Sequence, residues 1–251
     1  MFVVLKLKKA ETDILRRVKA VIRGPDITSD RIYYKSDAVY FSVTVPLYKK
    51  EIPWQHIQKH CRRLCDRVVL PIGITPPEGS EIRQYSNEHF EKLMLFNTMV
   101  EYIKRHGPAP TVSTLCLVDN DGSLCNELSR AVGLFSAINV ITQNRQAYES
   151  ICKSILDNYG LSVSFYPGIP NSENTVVFSP EADKIPLFFK GTLFCKSSAY
   201  LPDCNVIKCT RVKLTDKWSQ LIPEKTDPLT FLSAMYELSG VSELHGTVYE
   251  V

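Results

Sequence analysis

Short apolar runs alternate with helical patterns between Thr114 and Ser179, and this alternation constrains the fold more than any other feature of the chain. The runs TLCLV, INVIT, LSVSF and NTVVFS have the continuous apolar character of strands that are buried on both faces. Segments with helical spacing of apolar residues, over Ser123–Phe135 and Gln146–Tyr159, separate the first three runs. Because parallel strands need such crossovers, the sequence predicts an α/β fold with a parallel sheet and helices on both faces.

A glycine and two prolines at the end of a long helical pattern mark the best boundary between two parts of the chain. The pattern runs over about 87–106, and Gly107, Pro108 and Pro110 prevent its continuation. Before it, a strand, a helix over Thr12–Val21 and a hairpin in RIYYKSDAVYFSVTV are expected. The sequence thus predicts a smaller α/β N-terminal unit over 1–107 and a second unit over 111–210. A C-terminal helix and tail over 211–251 are expected to pack back on the body.

Composition and charge exclude several classes of protein. Hydrophobic residues make up 44% and charged residues 23%, which is ordinary for a globular chain. No apolar stretch approaches the roughly 20 residues that span a bilayer. The start MFVVLKLKK has its charges after a short apolar run, so it is read as a strand and not as a signal peptide. We therefore expect a cytoplasmic protein without a membrane span, whose eight cysteines are reduced thiols.

The first 70 residues are basic, with 15 Lys/Arg against 7 Asp/Glu. Such an excess is typical either of a nucleic-acid partner or of a solvated surface that faces an acidic neighbour. The charges are scattered among apolar positions, which favours the ordinary surface. A nucleic-acid partner stays open as an alternative.

Polar residues follow the strands at the edge where a parallel sheet of this kind binds ligands. The first strand runs into the turn LVDNDGSL, and the second and fourth strands end in further polar residues. The carboxyl ends of parallel strands and the helix N-termini beside them form a crevice that offers N–H donors to an anion. The predicted binding site comprises Asp119, Asp121, Gly122, Ser123, Thr142, Asn144, Arg145 and Ser179.

Element order and the stretch VITQNR resemble the Rossmann-like nucleotide-binding domains of shikimate dehydrogenase and glutamyl-tRNA reductase. The resemblance covers about Thr111–Asp183. Those families place an Asn-Arg pair after the second strand to meet the 2′-phosphate of NADP, and Asn144 and Arg145 match it here. The resemblance implies a Rossmann-like sheet, NADP as cofactor, a small-molecule or nucleotide ligand and a divergent NADP-dependent oxidoreductase. Arg145 would contact the phosphate, and Gly122 and Ser123 would give backbone amides.

The first turn departs from that family pattern. A dinucleotide turn reads GxGxxG, because its glycines let backbone amides approach the pyrophosphate. This chain has only Gly122, and the carboxylates of Asp119 and Asp121 stand where phosphates would lie. No residue stands out as an acid or base for hydride transfer. A non-catalytic binding or interaction module, with the turn as a structural feature, is therefore the main alternative.

The same turn also resembles the first motif of haloacid-dehalogenase-like phosphatases, DxDG[TS]. That resemblance implies Asp119 as nucleophile and Asp121 as general acid/base, with Thr142 imitating the second motif. A helical pattern begins directly after the turn, where those enzymes insert a flap. Glu181 and Asp183 lie too far along a loop to complete a Mg²⁺ site. The phosphatase is kept as a further alternative.

His56, His60, Cys61 and Cys65 have spacings that raise the question of a zinc site. Cys61 belongs to an apolar stripe that the histidines do not share, and four ligands on one helix do not converge. We expect no metal.

Overall fold

The computed structural model describes residues 1–10, 18, 20, 22–48, 51–86, 88–107, 112–180, 185–186, 188–196, 201–209 and 211–251. The helix predicted over Thr12–Val21 falls mostly outside these residues, as do Glu181 and Asp183. The chain divides into two compact units. The first unit comprises Met1–Phe90 and Leu214–Leu244, and the second comprises Glu91–Lys213 and His245–Val251.

The described helices and strands follow in chain order, with one 3₁₀ helix that matters below. They are β1 (Phe2–Lys9), β2 (Thr28–Tyr34), β3 (Asp37–Leu47), α1 (Trp54–Cys61), β4 (Val68–Val69), α2 (His89–His106), β5 (Thr114–Val118), the 3₁₀ helix Cys125–Ala131, β6 (Ala137–Ile141), α3 (Arg145–Tyr159), β7 (Val163–Phe165), β8 (Thr175–Phe178), β9 (Gly191–Cys195), β10 (Cys204–Lys208), β11 (Arg211–Val212), α4 (Asp216–Leu221), α5 (Pro228–Ser239) and β12 (Tyr249–Glu250).

The first unit contains a four-stranded mixed sheet in the order β2-β3-β1-β4. Strand β1 runs parallel to β3 and β4, and β2 pairs antiparallel with β3, as the predicted hairpin requires. One face of the sheet packs Val3, Leu5 and Val43 against Ile57 and Cys61 of α1. On the other face, Phe231 of α5 meets the rings of Phe2 and Tyr40 edge-on. The first unit is thus an α/β unit with apolar residues on both faces of its sheet.

The second unit contains six parallel strands in the order β10-β9-β8-β5-β6-β7. Counted within the unit from β5 onwards, this order is 3-2-1-4-5-6, the order of dinucleotide-binding Rossmann folds. Strand β5 pairs with β6 on one side and with β8 on the other. The predicted α/β fold with a Rossmann-like parallel sheet is confirmed.

Helices and connecting segments cover the sheet of the second unit. Ring contacts join Phe96 of α2 to Phe178 and Tyr102 of α2 to Phe194. The opposite face packs Cys116 and Val177 in one cluster with Ile185, Phe189 and Leu201 from the connections. Burial of both faces explains why β5 and β8 are continuously apolar.

The α-helix predicted over Ser123–Phe135 is wrong in type and length. The structure has a 3₁₀ helix over Cys125–Ala131, with the N–H of Glu127 bonded to the carbonyl of Leu124. Gly133 follows the segment with a φ of 82°, a left-handed conformation that ends it. Turns of 3₁₀ helix are frequent in connections, although the seven residues found here are more than such helices usually have. Of the apolar residues in that pattern, Leu124, Leu128 and Phe135 are buried, whereas Val132 is only partly buried.

The helix predicted over Gln146–Tyr159 is confirmed as α3. Asn144 caps it, because its side-chain oxygen accepts a hydrogen bond from the N–H of Ala147. Gly160 ends it in the left-handed region, with a φ of 65°. The N-terminal end of α3 thereby lies directly after β6, at the predicted ligand edge.

The C-terminal segment contributes to both units. Helix α5 lies in the first unit and is capped by Asp227, with Pro228 in its first turn, as predicted. Strand β12 lies in the second unit, where it pairs with β11. The predicted division into an N-terminal unit over 1–107, a second unit over 111–210 and a C-terminal helix and tail over 211–251 stays a prediction. Within the described ranges, no helix is long and apolar enough to cross a membrane.

Candidate functional site

Asp119 is the buried centre of the turn after β5. It follows Val118 and is only 2% exposed. Its Oδ2 atom accepts hydrogen bonds from the hydroxyl of Tyr148, at 2.6 Å, and from the N–H of Leu124, at 2.9 Å. The hydroxyl of Ser123 lies 3.4 Å from Oδ1. Asp119 therefore ties the turn both to its own next residues and to α3.

Asp121 is the exposed partner of this carboxylate. Lys92 of α2 donates a hydrogen bond to it at 2.8 Å. The N–H of Ser123 donates to it at 3.2 Å, and the Ser123 hydroxyl at 2.9 Å. Asp121 thus links the turn to α2 within the second unit.

The two carboxyl groups differ in their affinity for a proton. Burial, and a hydrogen bond with Asp121, raise the pKa of Asp119 above its ordinary value, although the bonds from Tyr148 and Leu124 act against the rise. Partial burial acts to raise the pKa of Asp121, but its hydrogen bonds with Asp119, Lys92 and Ser123 outweigh burial and hold that pKa below the ordinary value. The negative charge of the pair therefore resides first on Asp121, where Lys92 neutralises it.

The backbone donors that a nucleotide phosphate would need are already occupied. In a dinucleotide fold the pyrophosphate takes the N–H groups of the first turn and of the helix that follows it. Here the N–H groups of Ser123 and Leu124 point at the carboxylates of Asp121 and Asp119. Both of these N–H groups are therefore bonded to side-chain carboxyl groups of the turn itself.

Gly122 has a packing role at this turn. Its φ is 76°, and a Cβ atom placed on it would lie 2.8 Å from the Cβ of Ala147 in α3. The side-chain amide of Asn144 donates to the carbonyl of Asp121 at 3.1 Å. The glycine therefore lets the turn approach the first turn of α3 closely.

The other predicted site residues lie along the same edge of the sheet, but they differ in exposure and in whether their polar groups are already hydrogen-bonded. Thr142 accepts a hydrogen bond from the N–H of Asn144 and lies 3.4 Å from the carbonyl of Asn120. Arg145 is exposed, and its guanidinium lies 5.5 Å from the ring centre of Phe165. Ser179 is fully buried at the end of β8, and its N–H donates to the carbonyl of Phe194.

Sequence reasoning missed two members of this cluster, Lys92 and Tyr148. Each contacts its aspartate from 29 residues away. Tyr148 belongs to the helical pattern over Gln146–Tyr159 and is fully buried, but the pattern does not indicate that its hydroxyl donates to Asp119. The one available signal was the pair of carboxylates itself, because buried carboxylates need donors.

Groups that hold metals are not assembled in the described part of the chain. It contains no cluster of three or more His, Cys, Asp or Glu residues suited to a metal ion. Cys61 and Cys65 lie in the apolar core of the first unit, and burial raises the pKa of Cys61 to about 12. His56 and His60 are exposed. The thiols at this helix therefore behave as apolar core groups.

Removing the hydroxyl of Tyr148 tests its bond to Asp119. We expect Tyr148→Phe to lower the free energy of unfolding by about 1–2 kcal/mol, because a buried acceptor loses a donor. The Tyr148 bond favours the ionised carboxylate, so its loss should raise the pKa of Asp119 further. The loss of stability should accordingly be larger at pH 7 than at pH 4, which urea denaturation at both values measures. Tyr159→Phe, at an exposed tyrosine of α3, is the control; equal effects of the two changes would contradict the assignment.

Comparisons with known proteins give the fold no family name. No family model matches the chain, and no curated protein matches it. Among solved structures, L-tryptophan dehydrogenase from Nostoc punctiforme aligns with 98% of this chain and 79% of its own, at 9% identity and a TM-score of 0.35. A likeness of that size carries no functional argument. The Rossmann-like assignment rests on the strand order of the second unit.

Proposed function

We propose that this chain is a non-catalytic binding or interaction module. In this module the turn after β5, from Asp119 to Leu124, has a structural role, and we call it the structural joint because it connects β5 to the helices beside it. The observation that carries the proposal is a pair of hydrogen bonds: the N–H of Ser123 donates to Asp121, and the N–H of Leu124 donates to Asp119. A phosphate entering this turn would have to displace both carboxylates and would then face their charge. Two opposing effects, lost hydrogen bonds and repulsion, thus disfavour a nucleotide here.

The joint connects three elements of the second unit. Lys92 of α2 donates a hydrogen bond to Asp121, and Tyr148 of α3 donates one to Asp119. Ala147 of α3 packs beside Gly122, and Asp119 follows directly on β5. Each contact is short and polar or closely packed, so the turn fixes the angle between the sheet and its helices. An active-site turn, by contrast, keeps donors free for its substrate.

An NADP-dependent oxidoreductase acting on a small molecule is the second candidate, and Arg145 favours it. The guanidinium is exposed directly after β6, where the resemblance to shikimate dehydrogenase places the 2′-phosphate contact. Its planar fork suits a phosphate, and its stacking on Phe165 holds it at the sheet edge. A cofactor bound in this way would need to place its pyrophosphate away from the occupied donors.

The phosphatase alternative has less support from the geometry. Its nucleophile must reach a phosphate ester, whereas Asp119 is 2% exposed and bonded to Tyr148 and Leu124. The cytoplasmic location stays a prediction, and a nucleic-acid partner of the basic N-terminal unit stays an alternative that the charge pattern does not favour.

A thermal-shift titration with NADPH, NADH and ATP distinguishes the two candidates. The proposed module should show no change in melting temperature at millimolar nucleotide. A cofactor present at 100 times its dissociation constant would stabilise the fold by about 2.7 kcal/mol. Stabilisation by NADPH that is lost in Arg145→Ala but kept in Lys153→Ala, an exposed lysine of α3, would contradict the proposal and support the oxidoreductase.

A further inference from the structure

A groove in the second unit lies away from the turn after β5. One wall is the face of α2 that carries Thr98, Glu101, Tyr102, Arg105 and His106, at helical spacing. The other wall is the ribbon of β11 and β12 with its flanking residues. The cavity measures about 530 Å³, within the range of small-molecule sites. Thr98, the lining residue of α2 nearest to Lys92, lies six residues beyond it, so about 9 Å of helix separates the groove from the Lys92 contact of the turn.

The ribbon is fixed on the helix by polar contacts. The hydroxyl of Thr98 accepts a hydrogen bond from the N–H of Tyr249 at 2.8 Å. The side-chain amide of Asn97 donates to the carbonyls of His245 and Thr247, at 2.6 and 2.9 Å. These hydrogen bonds fix the position of the ribbon against α2.

Opposite charges on the ribbon wall are left unpaired. Lys213 and Glu250 line the groove, and neither forms an ion pair with a described residue. The N–H of Lys213 bonds to the carbonyl of Val248, which puts Lys213 and Glu250 on the same face of the ribbon. Such diagonal neighbours have their Cβ atoms about 7–8 Å apart. Register places Arg211 opposite Glu250, yet these two side chains are not within ion-pair distance.

The helix wall adds an ion pair and an aromatic surface. Arg105 pairs with Glu101 at 3.5 Å along α2. The half-buried ring of Tyr102 contacts the rings of Phe194 and His106, at centroid distances of 5.4 and 5.1 Å. A planar group entering the groove would find this ring surface beside the charged residues.

The charges that line the groove decide the class of ligand. Among the side chains that line the groove, Glu101 and Glu250 carry carboxylates, and Arg105 and Lys213 carry permanent positive charges. A simple anion would meet both carboxylates, and a simple cation would meet both basic groups. A molecule that carries a positive and a negative charge close together can place each of them beside a residue of opposite charge.

We propose that this groove binds a small zwitterion of the α-amino-acid class with a planar side chain. Lys213 contacts the ligand carboxylate, Glu250 contacts its ammonium group, and the planar side chain packs on Tyr102. The proposal does not rest on the proposed function, because it uses none of the residues of the turn after β5.

Isothermal titration calorimetry at neutral pH tests the ligand class. The probes are L-phenylalanine, its decarboxylated analogue phenethylamine and its deaminated analogue 3-phenylpropanoate. We expect L-phenylalanine to bind about tenfold more tightly than either analogue, because each analogue lacks one charge-assisted contact. No detectable heat with L-phenylalanine at millimolar concentration, or equal affinity for the three, would overturn the proposal.

Two variants test which groove residue contacts the carboxylate of the ligand and which contacts its ammonium group. Lys213→Ala should weaken binding of L-phenylalanine about tenfold and leave phenethylamine unchanged, and Glu250→Gln should weaken L-phenylalanine to a similar extent and leave 3-phenylpropanoate unchanged. Lys104→Ala on α2 and Glu149→Gln on α3, which are exposed and do not line the groove, are the matched controls. Unchanged affinity in both groove variants, with melting temperatures equal to that of the unmodified chain, would refute the assignment.

Discussion

Replacing Asp119 by alanine is expected to lower the free energy of unfolding by about 3 kcal/mol at pH 7, because two buried donors lose their acceptor. The carboxylate is 2% exposed and accepts bonds from Leu124 and Tyr148. Asparagine keeps the shape and one acceptor and its amide can donate to Asp121, so Asp119→Asn should cost less than about 1 kcal/mol. Urea denaturation of both variants measures the difference.

The pH dependence of these variants has a defined sign. Because the folded-state pKa of Asp119 is raised, the unfolded chain loses this proton first as pH rises. The contribution of Asp119 to stability is therefore greatest below the ordinary pKa of an aspartate, and it falls as pH rises through the raised value. Asp119→Asn cannot ionise, so its stability relative to the unmodified chain should improve over that window. Asp157→Ala, at an exposed acid of α3, is the control; a loss from Asp119→Ala no larger than that of the control would contradict the structural role.

Gly122→Ala is expected to destabilise the fold by about 2 kcal/mol, because two effects add. Its φ of 76° disfavours any side chain, and the new Cβ would lie 2.8 Å from the Cβ of Ala147. Gly133 offers a matched comparison, since its φ is 82° but nothing lies within 4 Å of the added atom. Gly133→Ala should thus show the conformational cost alone, about 1 kcal/mol.

A double-mutant cycle separates the clash from the backbone strain. Ala147→Gly should cost about 1 kcal/mol by itself, because glycine is a poor helix former. Combined with Gly122→Ala, it removes the close contact, so the double variant should be more stable than the sum of the single effects predicts. Additive effects, or a Gly122→Ala loss equal to that of Gly133→Ala, would show that the turn does not pack closely on α3.

The sheet of the second unit was predictable because its strands are buried on both faces. The four consecutive apolar residues of TLCLV, from Leu115 to Val118, leave no solvent face, and a strand of that kind fits a parallel sheet. Helix α3 was predictable from its periodicity and from its glycine stop, Gly160. The 3₁₀ helix was not, because Leu124 and Leu128 recur at the i, i+4 spacing of an α-helix, and a 3₁₀ helix has three residues per turn.

The position of the candidate site at one edge of the sheet was predictable, but the hydrogen bonds within it were not. Parallel strands bring residues such as Asp119 and Thr142 to one edge from their order alone. Whether the N–H of Leu124 is free depends on where a carboxylate side chain turns, and no spacing rule gives that. The contacts of Lys92 and Tyr148 join segments 29 residues apart, so they follow from tertiary packing.

Amide hydrogen exchange of Leu124, followed by NMR, tests the central claim most directly. If the turn is a structural joint, the Leu124 N–H is bonded to the buried carboxylate of Asp119 and should exchange slowly. Exchange should be unchanged by millimolar NADPH and should speed up in Asp119→Ala. Rapid exchange in the unmodified chain that becomes slow when NADPH is added would instead show an open phosphate cradle, and it would contradict the account.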